Sequence, residues 1–336
     1  MQTKHEIQRL LASAGARPNK KLGQNFLIDL NLMRLLIDAA DIRKNDVVLE
    51  VGCGTGSFTE GLAEVAGRVV AAEYDKILAR IAMQQLQDAE HVTIVNTDIL
   101  ESKNKLAPQI VEELARAKAE LGGRLLLVAN LPYNAGTSVM ANLVGGTGEG
   151  LQNRPEGAEN AVFEGENGVL GGGEKVGGGV GEPGIGLVAD AMYVTVQKEV
   201  AQRMVAEPGG KLYGILSILI GACGESEILR ILPPSVFWPA PGVESAMVSF
   251  ERQAGKAARI RNMSVFKEIV NLFMGHRRKM MQACTKFAKG SELGGITDWG
   301  DIFDEAGVNP QMRPEKVLPD EFVEIANACA VRLGRK

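Results

Sequence analysis

Hydrophobic residues between positions 30 and 130 follow two different periods along the chain. Short apolar runs bounded by turn residues predict four strands, at residues 47–51, 68–72, 92–95 and 125–129. Apolar residues at helical spacing lie between these runs and predict four helices, at residues 30–40, 58–65, 76–86 and 108–121. Short buried strands that alternate with helices are typical of an α/β fold with a doubly wound, mainly parallel sheet. A ligand site in such a fold lies at the carboxyl ends of the strands.

The two ends of the chain have patterns of their own. Thr3 and Glu6 form the signature of a capping box before an amphipathic helix, and a polar, basic arm follows. Further strands are predicted at residues 192–197, 227–232 and 243–250, and a further helix at 212–222. Beyond about residue 255 the pattern is purely helical, and one long helix is predicted to carry Phe273, Met280 and Cys284 on its apolar face. We therefore predict three parts: an N-terminal helix and arm (1–20), an α/β domain (21–254) and a small all-helical domain (255–336).

A glycine-rich segment interrupts the α/β pattern at residues 145–186. Sixteen of its 42 residues are glycine, including the runs 171–173 and 177–179. A segment of this composition cannot bury enough apolar surface to offset the conformational entropy of its chain. We predict a flexible insertion, and we favour a solvated surface loop over a segment that tunes the docking of a partner.

Composition excludes several classes of protein. Of the 336 residues, 45% are hydrophobic and 23% are charged, which is typical of a folded globular chain. No apolar run reaches the roughly 18 residues of a membrane helix, and the N-terminus has no apolar signal stretch. The four cysteines include no CxxC pair and the three histidines are far apart, so we predict no metal site. These features predict a cytoplasmic protein without a membrane partner.

The net charge of −4 conceals two blocks of opposite sign. Residues 145–190 hold eight acids and two bases, whereas residues 252–289 hold ten bases and a single acid, Glu268. Arginine and lysine clustered this densely indicate contacts with phosphate groups, although a charged run can also be a solvated face. The average charge therefore does not exclude a nucleic-acid partner.

A glycine-rich turn follows the first predicted strand. The sequence Glu50-Val51-Gly52-Cys53-Gly54-Thr55-Gly56 leads directly into a helix. A dinucleotide fingerprint would need glycine at position 57, where this chain has serine. Glu73 and Asp98 end the next two predicted strands, where carboxylates can accept hydrogen bonds from ribose hydroxyls and from an adenine amino group. Three motifs at successive strand ends favour a site for S-adenosylmethionine, which has no pyrophosphate, over ordinary capped turns.

An N-L-P-Y-N motif ends the fourth predicted strand. The exocyclic amine of a base is a poor nucleophile because its lone pair is delocalised into the ring. The side-chain oxygen of Asn130 and the carbonyl of Leu131 can accept both N–H bonds of such an amine and favour a pyramidal nitrogen. Pro132 fixes the local backbone, and Tyr133 can stack on the base. Phe237 lies in a stiff loop with two prolines and can cover the other face of the base, the alternative being a plug of the core.

Together these motifs resemble those of the ribosomal RNA adenine N6,N6-dimethyltransferases, which modify two adjacent adenines near the 3′ end of small-subunit rRNA. The resemblance covers residues from about 20 to 330, apart from the glycine-rich insertion. It also includes residues 21–27 (KLGQNFL), residues 197–203 (QKEVAQR), the F-x-P-x-P loop, Arg277-Arg278-Lys279 and Arg313-Pro314-Glu315. It implies a Rossmann-like class I methyltransferase fold, S-adenosylmethionine as cofactor, and direct methyl transfer without a metal.

The resemblance also implies roles for particular residues. Catalysis is expected to involve Asn130, Leu131, Pro132, Tyr133 and Phe237. The cofactor is expected to contact Gln24, Asn25, Leu27, Glu50, Gly52, Gly54, Gly56, Glu73, Tyr74, Asp98, Ile99 and Asn130. RNA is expected to contact Lys20, Lys21, Arg259, Arg261, Arg277, Arg278 and Lys279. We expect a monomer that acts on small-subunit rRNA, or on the precursor of the small ribosomal subunit, during ribosome biogenesis.

Three alternatives remain open at this point. A large-subunit rRNA adenine dimethyltransferase of the antibiotic-resistance type has the same cofactor and an N-L-P-Y-like motif, but the R-R-K and R-P-E stretches favour the small-subunit group. A ribosome-assembly or transcription factor can retain the fold without catalysis, although intact Glu73 and Asp98 favour activity. A DNA amino-methyltransferase is disfavoured because its usual motif has a second proline at the position of Leu131.

Overall fold

The computed structural model describes residues 1–19, 22–146 and 186–335. Its helices are α1 (Lys4–Ser13), α2 (Leu30–Ala39), α3 (Ser57–Val65), α4 (Lys76–Gln85), α5 (Pro108–Leu121), α6 (Gly136–Gly145), α7 (Lys198–Met204), α8 (Ile215–Cys223), α9 (Ala254–Ala257), α10 (Met263–Met274), α11 (Met281–Cys284), α12 (Trp299–Glu305) and α13 (Pro319–Arg332). Its strands are β1 (Phe26–Leu27), β2 (Val47–Val51), β3 (Arg68–Glu73), β4 (Val92–Asn96), β5 (Leu100–Ser102), β6 (Lys105–Leu106), β7 (Leu125–Asn130), β8 (Ala191–Gln197), β9 (Gly224–Leu232), β10 (Phe237–Trp238) and β11 (Ser245–Arg252). The predictions for Lys20, Lys21 and nearly all of the insertion at 145–186 lie outside the described residues.

A seven-stranded sheet organises the larger part of the fold, in the order β4-β3-β2-β7-β8-β11-β9. The strands from β4 to β8 run parallel, and β11 pairs antiparallel with both of its neighbours. The chain proceeds outward from β2 to β4 and then crosses to β7, so the strand order reverses beside β2. This topology confirms the predicted doubly wound, mainly parallel sheet, and each end of the eight elements predicted between 30 and 130 lies within one residue of its prediction.

The apolar residues of the sheet face helices on both sides. Every residue of β2 is buried, because a parallel strand in the centre of such a sheet is covered on both faces. Leu36 of α2, Leu62 of α3 and Leu126 of β7 belong to one buried cluster. A second cluster joins Ile7 of α1 to α4, so the amphipathic N-terminal helix packs on the same body.

Within the described residues, the chain divides into two compact units. The first unit contains residues 1–19, 22–146 and 187–259, and the second contains residue 186 and residues 260–335. The second unit is helical, and its core surrounds Phe273 of α10. The Phe273 ring lies 6.0 Å from the ring of Trp299, 6.1 Å from Phe303 and 6.3 Å from Phe322.

The long helix predicted beyond residue 255 is wrong, because the structure divides it into α10 and α11. Helix α10 ends at Met274, and the Arg277-Arg278-Lys279 stretch lies in the turn that follows. The N–H of Met281 donates instead to the carbonyl of Met312 at 2.8 Å, a long-range bond that no local pattern reveals. Met280, predicted on the apolar face, is 47% exposed as a result. The helix predicted at 212–222 also begins later, at Ile215.

The four cysteines are free of disulfides and buried, with two in each unit. Burial raises the pKa of the Cys53 thiol well above its ordinary value, that of Cys284 to about 11 and that of Cys329 to about 12. Among the described residues no helix is long and apolar enough to cross a membrane. The same residues contain no group of three or more His, Cys, Asp or Glu side chains placed to hold a metal ion.

Candidate active site

A cavity of about 290 Å³ lies where the sheet order reverses, against the carboxyl ends of β2, β3 and β7. It is near the lower limit of about 300 Å³ for small-molecule pockets. The predicted site residues that line it are Gln24, Asn25, Gly52, Gly54, Glu73, Tyr74, Asp98, Ile99, Asn130, Leu131, Pro132 and Tyr133. Phe26 also lines it and was not among the predicted residues. Four of the residues predicted for catalysis or cofactor binding, namely Leu27, Glu50, Gly56 and Phe237, are not part of this lining.

The glycine-rich turn contributes backbone, without side chains, to the cavity wall at Gly52 and Gly54. Gly52 and Gly54 have positive φ angles of 77° and 59°, which other residues rarely adopt. A Cβ at Gly52 would lie 2.9 Å from Cγ of Pro132, and one at Gly54 would lie 2.8 Å from Cε1 of Phe26. The turn therefore needs glycine for its backbone and for the close approach of these two rings.

Glu73 ends β3 with its carboxylate held in one orientation. Its Oε2 accepts the N–H of Gly54 at 2.8 Å, and its Oε1 accepts the N–H of Asp75 at 2.8 Å. Burial raises the pKa of Glu73, while these backbone donors oppose that shift. Asn96, which the sequence did not single out, donates through Nδ2 to the Glu73 carbonyl at 2.8 Å and so ties the end of β4 to the end of β3.

Asn130 lies at the end of β7 with its amide group oriented by the N-terminal segment. Its Nδ2 donates to the carbonyl of Asn25 at 2.9 Å. Among the described residues no donor reaches its Oδ1, although the residue lines the cavity. The N–H of Leu131 donates to the carbonyl of Thr195 at 3.0 Å, which fixes the backbone of the motif against β8. Oδ1 of Asn130 is therefore an acceptor that no donor in the described part of the chain uses.

Tyr133 is held at its hydroxyl end. The hydroxyl lies 2.7 Å from Oγ of Ser245, a fully buried residue that begins β11. Burial raises the pKa of the Tyr133 hydroxyl, so the residue is a neutral phenol near neutral pH. With the hydroxyl anchored, the ring lines the cavity and offers an aromatic surface there.

Phe237 occupies a different position from the one expected of a stacking residue. It is 3% exposed and belongs to the buried cluster beneath the sheet. Its strand β10 pairs with β1, so that Phe237 faces Leu27 and Trp238 faces Phe26. The rings of Phe26 and Trp238 stack with centroids 6.1 Å apart. A base held between Tyr133 and Phe237 therefore stays a prediction that requires Phe237 to leave the core.

Glu50 is a buried carboxyl group rather than part of the cavity wall. It is 2% exposed, and its Oε2 has no hydrogen-bond partner among the described residues. Burial, together with the nearby Glu73 carboxylate, raises the pKa of Glu50 to about 8. Glu50 is therefore protonated near neutral pH.

The basic residues predicted to contact RNA differ in whether a carboxylate pairs with their positive charge. Arg277 lies 3.1 Å from the Glu315 carboxylate, so the R-R-K and R-P-E stretches are joined by an ion pair. Arg278 and Lys279 are exposed, and no carboxylate of the described residues pairs with either. Arg259, in the first unit, and Arg261, in the second, are exposed as well.

An aromatic side chain lies beside this exposed turn in the second unit. Phe287 is 45% exposed, and its ring stacks on His276 with centroids 3.8 Å apart. Lys279 Nζ lies 5.7 Å from the same ring, and Lys286 is exposed next to it in sequence. The combination of cations and an open aromatic ring is typical of surfaces that bind unpaired nucleotides.

The charges of the cavity indicate which kind of ligand it holds. Its described lining contains two carboxylates, Glu73 and Asp98, and no lysine, arginine or histidine. These two carboxylates would repel a pyrophosphate, whereas S-adenosylmethionine carries a positive sulfur and an ammonium group. Gly52 and Gly54 leave space for close approach to the backbone. This fold and this site define a class I methyltransferase whose cofactor is S-adenosylmethionine.

Comparison with known proteins narrows this class. The family model for ribosomal RNA adenine dimethylase matches residues 15–330. The chain is 32% identical to ribosomal RNA small subunit methyltransferase A of Lactiplantibacillus plantarum, with 95% of this chain and 92% of the relative covered. It is also 32% identical to the protein of that name in Pelotomaculum thermopropionicum, with 96% and 95% covered. The chain therefore belongs to the ribosomal RNA adenine dimethylase family and methylates ribosomal RNA.

Solved structures show the same fold at low sequence identity. A dimethyladenosine transferase from Plasmodium falciparum superposes with a TM-score of 0.64 at 16% identity, covering 92% of this chain and 98% of the other. The 23S rRNA methyltransferase ErmE superposes with a TM-score of 0.54 at 19% identity, covering 92% and 100%. Both confirm the α/β methyltransferase fold.

Proposed function

We propose that the protein transfers methyl groups from S-adenosylmethionine to N6 of two adjacent adenines near the 3′ end of small-subunit rRNA, giving N6,N6-dimethyladenosine. The family membership and the names of the curated relatives support this proposal. The name of the Plasmodium falciparum structure, a dimethyladenosine transferase, agrees with it.

The observation that carries the chemistry is the orientation of Asn130. Because its Nδ2 is bonded to Asn25, its Oδ1 is the atom left to accept a proton-bearing group in the cavity. We infer that Oδ1 accepts one N–H of the adenine amine and that the Leu131 carbonyl accepts the other. Two acceptors on one nitrogen draw its lone pair out of conjugation and make it nucleophilic. When bound, S-adenosylmethionine supplies an electrophilic methyl group on its sulfonium sulfur.

The remaining residues of the motif orient the base. Tyr133 presents its ring to the cavity while Ser245 holds its hydroxyl, so the ring can stack on an extruded adenine. Glu73 and Asp98 line the same cavity as acceptors for ribose and adenine groups of the cofactor. Each transfer would break the bond between the methyl group and sulfur, leave S-adenosylhomocysteine and release one N6 proton to solvent. After a first transfer the amine keeps one N–H, which Asn130 can still accept during a second transfer.

An experiment on Asn130 tests this assignment. We expect Asn130→Ala to abolish transfer of labelled methyl groups to small-subunit particles that lack the modification, while S-adenosylmethionine binding measured by calorimetry stays within about threefold. Asn31→Ala, at an exposed position of α2, is the matched control and should retain full activity. Turnover of the Asn130 variant at the wild-type rate would refute the role of this residue.

Mapping of the labelled product separates the proposed substrate from its alternatives. Label at two adjacent adenines near the 3′ end of small-subunit rRNA is the expected result. Label in large-subunit rRNA would favour the antibiotic-resistance type. Label in DNA would exclude both types of rRNA methyltransferase. If the wild-type protein transferred no label, the chain would be an assembly factor that retains the fold.

We propose that the exposed turn of the second unit binds RNA phosphates through Arg278 and Lys279. Arg278→Ala should weaken RNA binding. It should also reduce the steepness of log K against log salt by the amount that about one phosphate contact contributes. Arg277→Ala removes the partner of Glu315, so it should lower the stability of the second unit while leaving the salt slope unchanged. Equal changes of slope in both variants would refute this distinction. In this proposal Arg277 supports the turn through Glu315 instead of contacting RNA, as the resemblance had implied. The roles of Lys20, Lys21, Arg259 and Arg261 stay predictions.

We further propose that the protein acts as a cytoplasmic monomer on the small-subunit precursor. Sedimentation equilibrium should give a single species near the chain mass of 35.9 kDa. A stable dimer at micromolar concentration would refute the monomer.

A further inference from the structure

Gln2 is a buried polar residue bound to the glycine-rich turn from outside the cavity. It is 5% exposed and lies just before α1. Its Nε2 donates to the carbonyl of Thr55 at 3.2 Å and to Oε1 of Glu60 at 2.7 Å. Its Oε1 accepts the hydroxyl of Thr55 at 2.7 Å, and its main-chain N–H donates to Oγ of Ser57 at 2.7 Å. The amide group of Gln2 thus uses both N–H bonds and its oxygen.

The partners of Gln2 lie directly behind the atoms that face the cavity. Thr55 follows Gly54, whose N–H donates to Oε2 of Glu73 at 2.8 Å. Ser57 begins α3. Neither Thr55 nor Ser57 is part of the cavity lining. Gln2 therefore holds the rear of the turn, and the front of the same turn holds the Glu73 carboxylate.

The turn needs such external support because its own sequence gives it little rigidity. Gly54 and Gly56 both have positive φ angles, and glycine loses more conformational freedom on ordering than any other residue. Side-chain and main-chain bonds from a segment more than 50 residues away restrict this freedom before a ligand arrives. A ligand that meets an ordered turn loses less entropy on binding.

We propose that Gln2 is a positioning residue for the cofactor site: it orders the Gly52–Gly56 turn and, through Gly54, the carboxylate of Glu73. This inference rests on S-adenosylmethionine binding in the described cavity and is independent of which RNA is methylated. It assigns a role in cofactor affinity to a residue that makes no contact with the cavity.

Gln2→Met tests the proposal, because methionine has nearly the same length and volume but cannot make the amide hydrogen bonds. We expect the Kd for S-adenosylmethionine to rise about 5- to 20-fold, while kcat at saturating cofactor stays within about twofold of wild type. Gln8→Met, on the part-exposed face of α1, is the matched control and should leave both quantities unchanged.

Thr55→Val provides a second, smaller perturbation of the same contact. It removes the hydroxyl that donates to Gln2 and should raise the Kd about two- to fourfold. The double variant should resemble Gln2→Met alone, because both substitutions act on one contact. The single variant Thr55→Val also keeps the proposal testable if Gln2→Met does not fold.

The outcomes separate this inference from the assignment of the cofactor. A lower melting temperature with an unchanged Kd would make Gln2 merely structural and overturn the proposal. Additive effects in the double variant would overturn it too. A wild-type protein that binds no S-adenosylmethionine would refute the cofactor assignment itself, and the proposed role of Gln2 with it.

Discussion

Replacing Glu50 by glutamine should remove part of the pH dependence of the protein's stability. In the folded state burial raises the pKa of Glu50 to about 8, whereas its ordinary value is 4.5. Between these values the folded protein holds a proton on Glu50 that the unfolded chain releases. The contribution of Glu50 to stability is therefore fully present below about pH 4.5 and is lost as pH rises toward 8.

The size of this effect follows from the two pKa values. One pKa unit corresponds to about 1.4 kcal/mol, so the free energy of unfolding should fall by about 1.4 kcal/mol for each pH unit between 5 and 8 through this group alone. At pH 7 the loss relative to low pH amounts to about 3 kcal/mol. Glutamine is neutral at every pH, so the Glu50→Gln variant should not show this loss.

Urea unfolding of wild type and Glu50→Gln at pH 5, 6, 7 and 8 measures the difference directly. The advantage of the variant should grow steadily with pH, whatever constant offset the amide introduces. Glu64→Gln, at an exposed position of α3, is the control, and its curve should run parallel to that of wild type. If the Glu50→Gln and wild-type curves were also parallel, Glu50 would be ionised in the folded protein and the reasoning would fail.

Two further substitutions test the geometry of the cavity. Gly54→Ala forces an unfavourable φ angle and places a methyl group on Phe26, so cofactor affinity should fall at least tenfold by calorimetry. Gly122 also has a positive φ angle, but a Cβ there would meet no atom within 4 Å. Gly122→Ala should therefore cost about 1 kcal/mol of stability and leave cofactor affinity unchanged. Equal losses of affinity in the two variants would contradict this account. Tyr133→Phe keeps the ring but leaves Oγ of Ser245 without its partner, so thermal unfolding should show a loss of about 1–2 kcal/mol while methyl transfer stays within about tenfold of wild type. A complete loss of transfer would mean that the hydroxyl, and not the ring, is what the reaction needs.

The α/β part of the fold was predictable because its signals are local. Buried parallel strands are short continuous apolar runs, and the intervening helices carry their apolar residues at regular spacing. Thr3 and Glu6 form the predicted capping box. The N–H of Glu6 donates to the Thr3 hydroxyl, and the N–H of Thr3 donates to the Glu6 carboxylate. The motifs that end β2, β3 and β7 line one cavity because strand order brings those ends together.

The features that the sequence did not reveal depend on contacts between distant segments. Met281 leaves the helical path because its N–H bonds to Met312, and no spacing rule includes that partner. Phe237 is buried because β10 pairs with β1, which joins two segments about 200 residues apart. Gln2 looks like an ordinary surface residue in sequence, and its partners Thr55 and Glu60 become visible only in the folded chain.

The distribution of the cysteines allows the local unfolding of each unit to be measured by the reactivity of its own thiols. Cys53 and Cys223 lie in the first unit, and Cys284 and Cys329 lie in the second. A thiol with a raised pKa inside a folded unit does not react with an alkylating reagent, because the reactive species is the exposed thiolate. Alkylation read by peptide mass spectrometry across a denaturant series would therefore yield a separate unfolding curve for each unit, without any introduced label. Binding of cofactor should shift the Cys53 curve, and binding of RNA should shift the curves of Cys284 and Cys329.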